Sequence, residues 1–355
     1  MIKHNAILEV NLKNLAFNYK KLSKIANQSI CAATIKADAY GIGVIKTFET
    51  LYKNKCRHFF VATTEEALEI RKKKLLANVY VLNGLESNEL SIFNDTNIIP
   101  IINDKDEYNF VIKKIKQYKK LKFGIHIDTG LNRLGLDIND LLKINSYHNK
   151  IHILLSHLSS ADEGKNNYNI LQNNKFKSAI NLKINAKYNS LSNSMGIILG
   201  NNFHHDLVRP GISLYGGHFN TKMKQIIKPV ICLKGKILQI KEISKNEFVG
   251  YNQTYKTHKK LKVAIVGIGY ADGISRVLSN KGNAYFKNKT FKIIGRVSMD
   301  SITVDISKND KLIKVGDYME IINHSNGIDK IANQCNTICD EILTSISKRV
   351  KRVYI

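Results

Sequence analysis

Lys36 ends a run of small and apolar residues over positions 30–35 and is followed by two glycines, Gly41 and Gly43. Such a run, bounded by glycines, reads as a buried strand handing the chain to a helix that starts near Val44. Burial disfavours a charged ammonium, so a lysine at that place is either paired or held at a depressed pKa, which makes it a usable amine nucleophile and base. The plainer alternative is a lysine whose head snorkels past the strand end into water.

Other residues able to do chemistry follow later β-like runs. His126, Asp128, Thr129 and Arg133 come after a fifth run, His157 ends a sixth, Asn193 and Ser194 end a seventh, and Arg209 lies in an eighth. These runs occupy 30–36, 58–62, 79–82, 98–102, 123–127, 151–156, 189–193 and 207–215, and amphipathic segments such as 65–74, 104–118 and 167–184 lie between them. Eight strand-helix units predict an α/β fold, a closed (β/α)8 TIM barrel, whose strand ends are where barrel enzymes gather their active sites. A doubly wound open sheet is the alternative, but no Gly-x-Gly-x-x-Gly turn opens the first unit. From about Met223 the texture changes to short apolar runs separated by polar or glycine-containing turns, at 230–240, 263–268, 292–297, 302–306 and 318–322. This predicts a barrel over 10–225 and a mostly β C-terminal domain over 226–355, with the alternating stretch 1–9 a candidate extra strand for the second domain and a helix starting near Asn11.

The chain has 355 residues and a formal charge of +26. That charge invites a nucleic-acid reading, but the lysines are scattered over polar helix faces, as around 113–122, without interleaved aromatics. No nucleic-acid partner is expected. No apolar run approaches the roughly 18 residues that span a bilayer, and the first residues alternate rather than form a signal core, so the expected location is the cytoplasm, with no membrane. Five cysteines without a Cys-x-x-Cys pair support neither a disulfide framework nor a metal site.

The stretch from Ala32 through Lys36, Ala37, Ala39, Tyr40, Gly41 and Gly43 resembles the lysine motif of the alanine racemase family, with Asp38 where asparagine is usual and Ile42 where histidine is usual. Asp128-Thr129-Gly130-Leu131-Asn132-Arg133-Leu134-Gly135, Ser156-His157 through Ala161-Asp162, Asn193-Ser194-x-Gly196, and Val208-Arg209-Pro210-Gly211-Ile212-Ser213-Leu214-Tyr215-Gly216 are similar to further motifs of that family. In the second domain Val249-Gly250-Tyr251, Ile268 to Gly273, and Gly295-Arg296-Val297-Ser298-Met299-Asp300 complete a resemblance that spans essentially the whole chain.

The resemblance implies an isomerase that interconverts L- and D-alanine on pyridoxal 5'-phosphate, supplying D-alanine for peptidoglycan. Lys36 would carry the cofactor as a Schiff base and serve as the base towards D-alanine, and Tyr251 as the base towards L-alanine. Taken alone, Tyr251 would read as a core tyrosine of the β domain. A phenol, with an ordinary pKa near 10, is a poor base at neutral pH, so a cationic neighbourhood is expected around it. Arg209 would face the pyridine nitrogen and keep it unprotonated, and His157, otherwise a satisfied core histidine, would hydrogen-bond and orient Arg209. Tyr40, Asn193, Ser194, Gly211 and Ile212 would hold the cofactor, its phosphate especially, while Arg133 and Met299 would meet the substrate. The family further implies a homodimer in which Tyr251 and Met299 complete the site of the opposite subunit.

Two positions depart from the pattern. His126 stands where most relatives have a lysine that is often carbamylated, and imidazole cannot form that carbamate. Lys348 stands where several relatives place a phosphate-binding tyrosine. A broader-specificity racemase, or a decarboxylase or aldolase of the same barrel class, is the alternative enzyme. Arg209 stands against decarboxylation, where an acid protonates the ring. A non-enzymatic basic binding protein conflicts with the presence of both Lys36 and Tyr251.

Overall fold

Short, wholly buried apolar runs can only pair with one another, and each is followed here by a segment with a single apolar face. The computed structural model describes residues 4–143, 150–182, 184–308 and 310–355. In it a seven-stranded parallel sheet runs in chain order from Ala33–Thr34 through His58–Val61, Asn78–Val81, Ile98–Ile102, Phe123–His126 and Ile151–Leu155 to Tyr188–Ser190. An eighth strand, Leu207–Val208, pairs in parallel with Ile30–Cys31. Main-chain bonds from Asp206 N to Asn189 O (3.0 Å) and from Arg209 N to Ser192 O (2.9 Å) join it to the seventh strand and close the barrel. Side chains fill the interior, where Phe60 and Tyr80 stack with ring centroids 4.4 Å apart among buried Ile99, Ile153 and Leu155.

The outer helices follow their sequence periodicity. Val44, Thr47, Phe48 and Leu51 make the buried stripe of the helix Val44–Lys53, and Leu15, Asn18, Tyr19 and Leu22 that of Leu12–Ile25. Asn11, Thr63 and Asp104 cap their helices by accepting from the backbone N–H three residues on. The expected strands are longer than those formed. The first ends at Thr34, two residues before Lys36, and the eighth is only Leu207–Val208, so that Arg209 follows it and 212–215 becomes a 3-10 turn. Pro210 supplies no N–H to a ladder, which accounts for the early end.

The second domain is an antiparallel sheet built on the long strand Ile231–Ile243, which pairs with Tyr318–Ile322 and Ala6–Val10 along its first half and with Leu261–Val266 along its second. The order then runs from Leu261–Val266 through Ile302–Asp305, Lys289–Ile294 and Asn283–Phe286 back to Tyr318–Ile322. Ala6–Val10 also pairs in parallel with the C-terminal strand Lys351–Tyr354; Met1 to Lys3 lie outside the described residues. Both ends of the chain thus belong to one sheet, which delivers the last strand to the mouth of the barrel.

Candidate active site

Between the first strand and the helix Val44–Lys53 the backbone does something the sequence does not announce. Lys36 opens a turn in which Ala37, Asp38, Ala39 and Tyr40 all have φ between 53° and 55°, a left-handed helical turn of non-glycine residues. That conformation costs an L-residue about 1–2 kcal/mol each, so the surroundings must hold it. Glu66 does so from one side, its Oε1 accepting from Ala37 N (2.6 Å) and its Oε2 from Ala62 N (2.7 Å). Asp38 Oδ1 accepts from Val44 N (2.7 Å), the role its asparagine counterpart would also fill. From the C-terminal strand, Arg352 donates twice to Gly41 O (3.1 and 2.7 Å) and Tyr354 Oη once to Ile42 O (3.1 Å). Lys36 therefore does not snorkel beyond a strand. It lines a cavity of about 650 Å³ at the C-terminal mouth of the barrel. Burial lowers its pKa, the charge of Arg133 lowers it further, and the carboxylates of Asp340 and Glu66 oppose both.

The same cavity takes Tyr40, Arg133, His157, Asn193, Ser194, Arg209, Gly211 and Ile212. Arg209 is 6 % exposed, and burial pulls its pKa down to about 9, so it stays charged at neutral pH. Its guanidinium donates to Ser190 Oγ and to the Ser156 carbonyl and lies 5.7 Å above the Phe60 ring. The expected bond from His157 to Arg209 is not formed. His157 Nε2 lies 3.4 Å from Asn193 Nδ2 instead, and burial followed by the charges of Arg209 and Arg133 keeps its imidazole neutral. A neutral imidazole could accept from the guanidinium, but the His157 Nε2 is turned to Asn193, and the Ser190 hydroxyl and the Ser156 carbonyl hold the arginine.

A second cluster is shaped for an anion. Gly211 N (2.9 Å) and Ser213 N (3.3 Å) both donate to Ser194 Oγ, and a Cβ on Gly211 would sit 2.4 Å from Tyr40 Oη. Only glycine leaves that opening, and the two N–H groups, by donating to Ser194 Oγ, leave its O–H free to turn as a donor, beside the Tyr40 hydroxyl, towards an anion in the cavity. The residues therefore fit pyridoxal phosphate: an amine of lowered pKa, a permanent buried cation and an anion cradle share one cavity.

On the opposite wall His126 Nδ1 lies 2.9 Å from Asn103 Oδ1, and burial, with Arg209 and Arg133 beside it, brings its pKa down to about 4. Asp128 Oδ1 gathers the N–H groups of Gly130, Leu131 and Asn132 at 2.8–3.1 Å, which folds the loop carrying Arg133. Gln172 ties that loop to the sixth strand's end by donating to Thr129 Oγ1 (3.2 Å) and His157 O (3.0 Å).

Tyr251 and Met299 do not join this cavity. They are 66 % and 53 % exposed on the β domain, and Tyr270, in the turn between Gly269 and Gly273, is exposed as well. The stretch 295–300 backs both turns: Ser298 O and Met299 O accept from Tyr270 N and Ala271 N, and Gly250 abuts Arg296 N so closely that a Cβ would be 3.0 Å away. Arg349 clamps Asp272 (2.7 and 3.0 Å) and Asp300 (2.8 Å), while Lys348 is exposed and outside the cavity lining. Sequence reasoning missed Glu66, Ser190, Gln172 and Asp340. Glu66 alone carried a signal, the Thr63-x-x-Glu66 spacing of a capping box, whose carboxylate here reaches one residue further back and across to Ala37.

The N-terminal domain pattern of alanine racemase matches residues 10–218 and the C-terminal domain pattern residues 230–354. The chain is 35% identical to alanine racemase of Rickettsia canadensis over 359 residues, covering 98% of each chain. It is 36% identical to that of Brucella suis over 370 residues, covering 98% of this chain and 93% of the relative. A crystal structure of alanine racemase from Bartonella henselae with covalently bound pyridoxal phosphate superposes with a TM-score of 0.92 at 36% identity, covering 99% of this chain and 100% of that one.

Proposed function

This chain belongs to the alanine racemase family, and we propose that it interconverts L- and D-alanine by passing the α-proton between Lys36 and Tyr251. It is an isomerase that uses pyridoxal phosphate. When bound, that group supplies an electron sink for the pair left on Cα. The chain's own residues do the rest. Lys36 Nζ, its pKa lowered by burial, takes or returns the proton on the face that reacts from D-alanine. The Tyr251 hydroxyl does so on the face that reacts from L-alanine. Arg209, buried and charged at neutral pH, would meet the ring nitrogen as a hydrogen-bond donor and leave it unprotonated, which would keep the electron pair near Cα and favour return of the proton there. Tyr40, Ser194, Gly211 and Ile212 hold the phosphate, Asn193 and His157 support that wall, and Arg133 and Met299 orient the substrate carboxylate.

The observation that carries this reading is the meeting of Lys36, Arg209 and the Ser194–Gly211 cradle in one cavity. Tyr251 is exposed and outside that cavity, which supports a homodimer in which the β domain of each subunit covers the mouth of the other's barrel. The five free cysteines fit a reducing cytoplasm, where the product would supply the cell wall. Borohydride treatment of the loaded protein, followed by peptide mapping, should leave the cofactor on the peptide containing Lys36, and Lys36→Ala should abolish both the label and racemisation followed by circular dichroism. A label on another lysine would overturn the assignment.

A further inference from the structure

Asp340 is a half-buried acid whose side chain the reaction above does not employ. It stands in the first turn of the helix Cys339–Thr344, which packs onto the left-handed turn so closely that a Cβ on Gly41 would lie 2.6 Å from the Leu343 carbonyl oxygen. Its side chain lines the same cavity as Lys36, Tyr40 and the Ser194–Gly211 cradle. Its Oδ2 is buried and, among the described residues, has no hydrogen-bond partner. A carboxylate oxygen left so is costly unless a ligand or a counter-charge uses it.

The groups around it define its charge. Burial raises the Asp340 pKa; a hydrogen bond from its own backbone N–H and, after it, the Lys36 ammonium across the cavity oppose that, and the Asp329 carboxylate adds to it. In return its charge raises the pKa of the Tyr40 phenol and of the neighbouring Cys339 thiol. Asp329 is engaged with His218 (3.4 Å) and Cys339 (3.5 Å) and does not line the cavity. Arg133 reaches Asp340 only through Lys36, whose charged form it disfavours. Lys36 is therefore the cation that favours ionised Asp340, and an anion beside Tyr40 would share the cavity with Asp340 and feel its charge as the Tyr40 phenol does.

We propose that Asp340 couples cofactor loading to proton uptake: as a carboxylate it is the counter-charge of Lys36 in the unloaded chain, and it takes one proton from solvent when a phosphate dianion settles in the cradle beside Tyr40. Two anions sharing a poorly hydrated pocket repel strongly enough to protonate the one with the higher pKa. The phosphate does not leave its cradle, Oδ2 gains an O–H bond, and that O–H is a donor where a bare lone pair stood. This rests on reading the cradle as the cofactor's phosphate site.

The test uses the full-length chain stripped of cofactor and titrated, between about pH 6.5 and pH 9, with pyridoxal phosphate and separately with pyridoxal, which offers Lys36 the same aldehyde without phosphate. The ratio of the two affinities isolates the phosphate. It should fall as pH rises, by up to about tenfold per pH unit where the linkage is steepest, and calorimetry in buffers of different ionisation heat should show close to one proton more taken up with pyridoxal phosphate than with pyridoxal, the exchanges at the amine and the ring being common to both. In Asp340→Asn, which keeps the shape and a donor but no charge, the ratio should be flat and at the alkaline end roughly tenfold or more above that of the unaltered chain. Retained pyridoxal binding shows that the variant is folded, and the calorimetry on the unaltered chain stands independently of it. An identical ratio at every pH in both proteins, or no phosphate-dependent proton uptake, overturns the role of Asp340 alone. Failure of the unaltered chain to bind pyridoxal phosphate overturns the cofactor reading and this inference with it.

Discussion

His126 Nδ1 and Asn103 Oδ1 face each other at 2.9 Å, and the Asn103 amide is fixed in that sense because its Nδ2 donates to the carbonyls of Leu82 and Ile101, each at 3.0 Å. The imidazole must then carry its proton on Nδ1, leaving Nε2 as an acceptor. A neutral ring with an acceptor nitrogen lines the cavity with Arg133, and position 126 itself offers no primary amine to bind carbon dioxide. Racemisation rates in buffers freed of carbon dioxide and in buffers carrying excess bicarbonate should therefore agree. A rate that rises with bicarbonate would mean that another lysine forms a carbamate at the site. His126→Ala should unpair a buried amide oxygen and lower stability by about 1–3 kcal/mol in urea unfolding.

Acid should weaken the fold well before its carboxylates titrate. His58, His126 and His152 are buried, and burial, helped by nearby cations, brings each imidazole down to about 4. The unfolded chain protonates these groups below about pH 6.5, the native chain only near pH 4, so their contribution is complete above pH 6.5 and is lost as pH falls from there towards 4. Each imidazole should cost on the order of 1–2 kcal/mol between pH 7 and pH 5. His58 and His152 share the Tyr80 hydroxyl, at 2.8 and 3.2 Å, so replacing Tyr80 by phenylalanine should alter the slope contributed by that pair. Urea midpoints across this range measure it, and a flat profile would show that these rings are charged in the native state.

Strain in the turn after Lys36 should be separable from its function. Ala39 sits at φ 54°, ψ 52°, so Ala39→Gly relieves about 1–2 kcal/mol of left-handed cost against about 0.5–1 kcal/mol of added unfolded-state freedom. Stability should be unchanged or slightly raised, while the cofactor dissociates faster because the lysine is held less firmly. Arg352→Ala, which removes both bonds to the Gly41 carbonyl, should speed dissociation too but lower stability. Cofactor release followed by absorbance, together with thermal unfolding, distinguishes the two effects.

The barrel and most of its strand-end residues were legible because buried strands and one-faced helices leave opposite periodicities, and because the motif residues fall where those strands stop. The turn that presents Lys36 was not legible. Alanine has no preference for positive φ, and Ala37 to Tyr40 adopt it because Glu66 and Arg352, remote in sequence, hold the peptide groups. The partners of Arg209 escaped for a related reason: a serine and a backbone carbonyl leave no pattern, whereas a histidine nearby in the motif suggests itself. Asp340 carries no signal in the sequence, because only the packing of its helix on the turn after Lys36 brings it to the cavity of Lys36 and Tyr40.

Removal of the Tyr251 hydroxyl should act on one direction of the reaction. Tyr251→Phe should slow proton abstraction from L-alanine by about 10²-fold or more and leave abstraction from D-alanine, assigned to Lys36, far less affected. Single-turnover exchange of the α-proton with deuterated solvent, measured separately from each enantiomer, reads the two faces independently. Equal slowing from both would count against a tyrosine that serves one face.

Tyr251 is 66 % and Met299 53 % exposed, outside the cavity that holds Lys36 and Arg209, so in the proposed homodimer the second face of the site would be built by the other copy of the chain. A two-fold contact makes each subunit give and receive the same surface, so one interface completes two sites. Lys36→Ala and Tyr251→Phe, each inactive alone in racemisation, should then complement when their subunits exchange. A mixed dimer pairs the intact Lys36 of one chain with the intact Tyr251 of the other at one site, while its second site lacks both. Equal mixing makes about half the dimers mixed, so about a quarter of the sites, and of the unaltered activity, should return. Native mass spectrometry on the same sample counts the mixed dimers. Activity that stays absent although mixed dimers are present would place both bases in one chain.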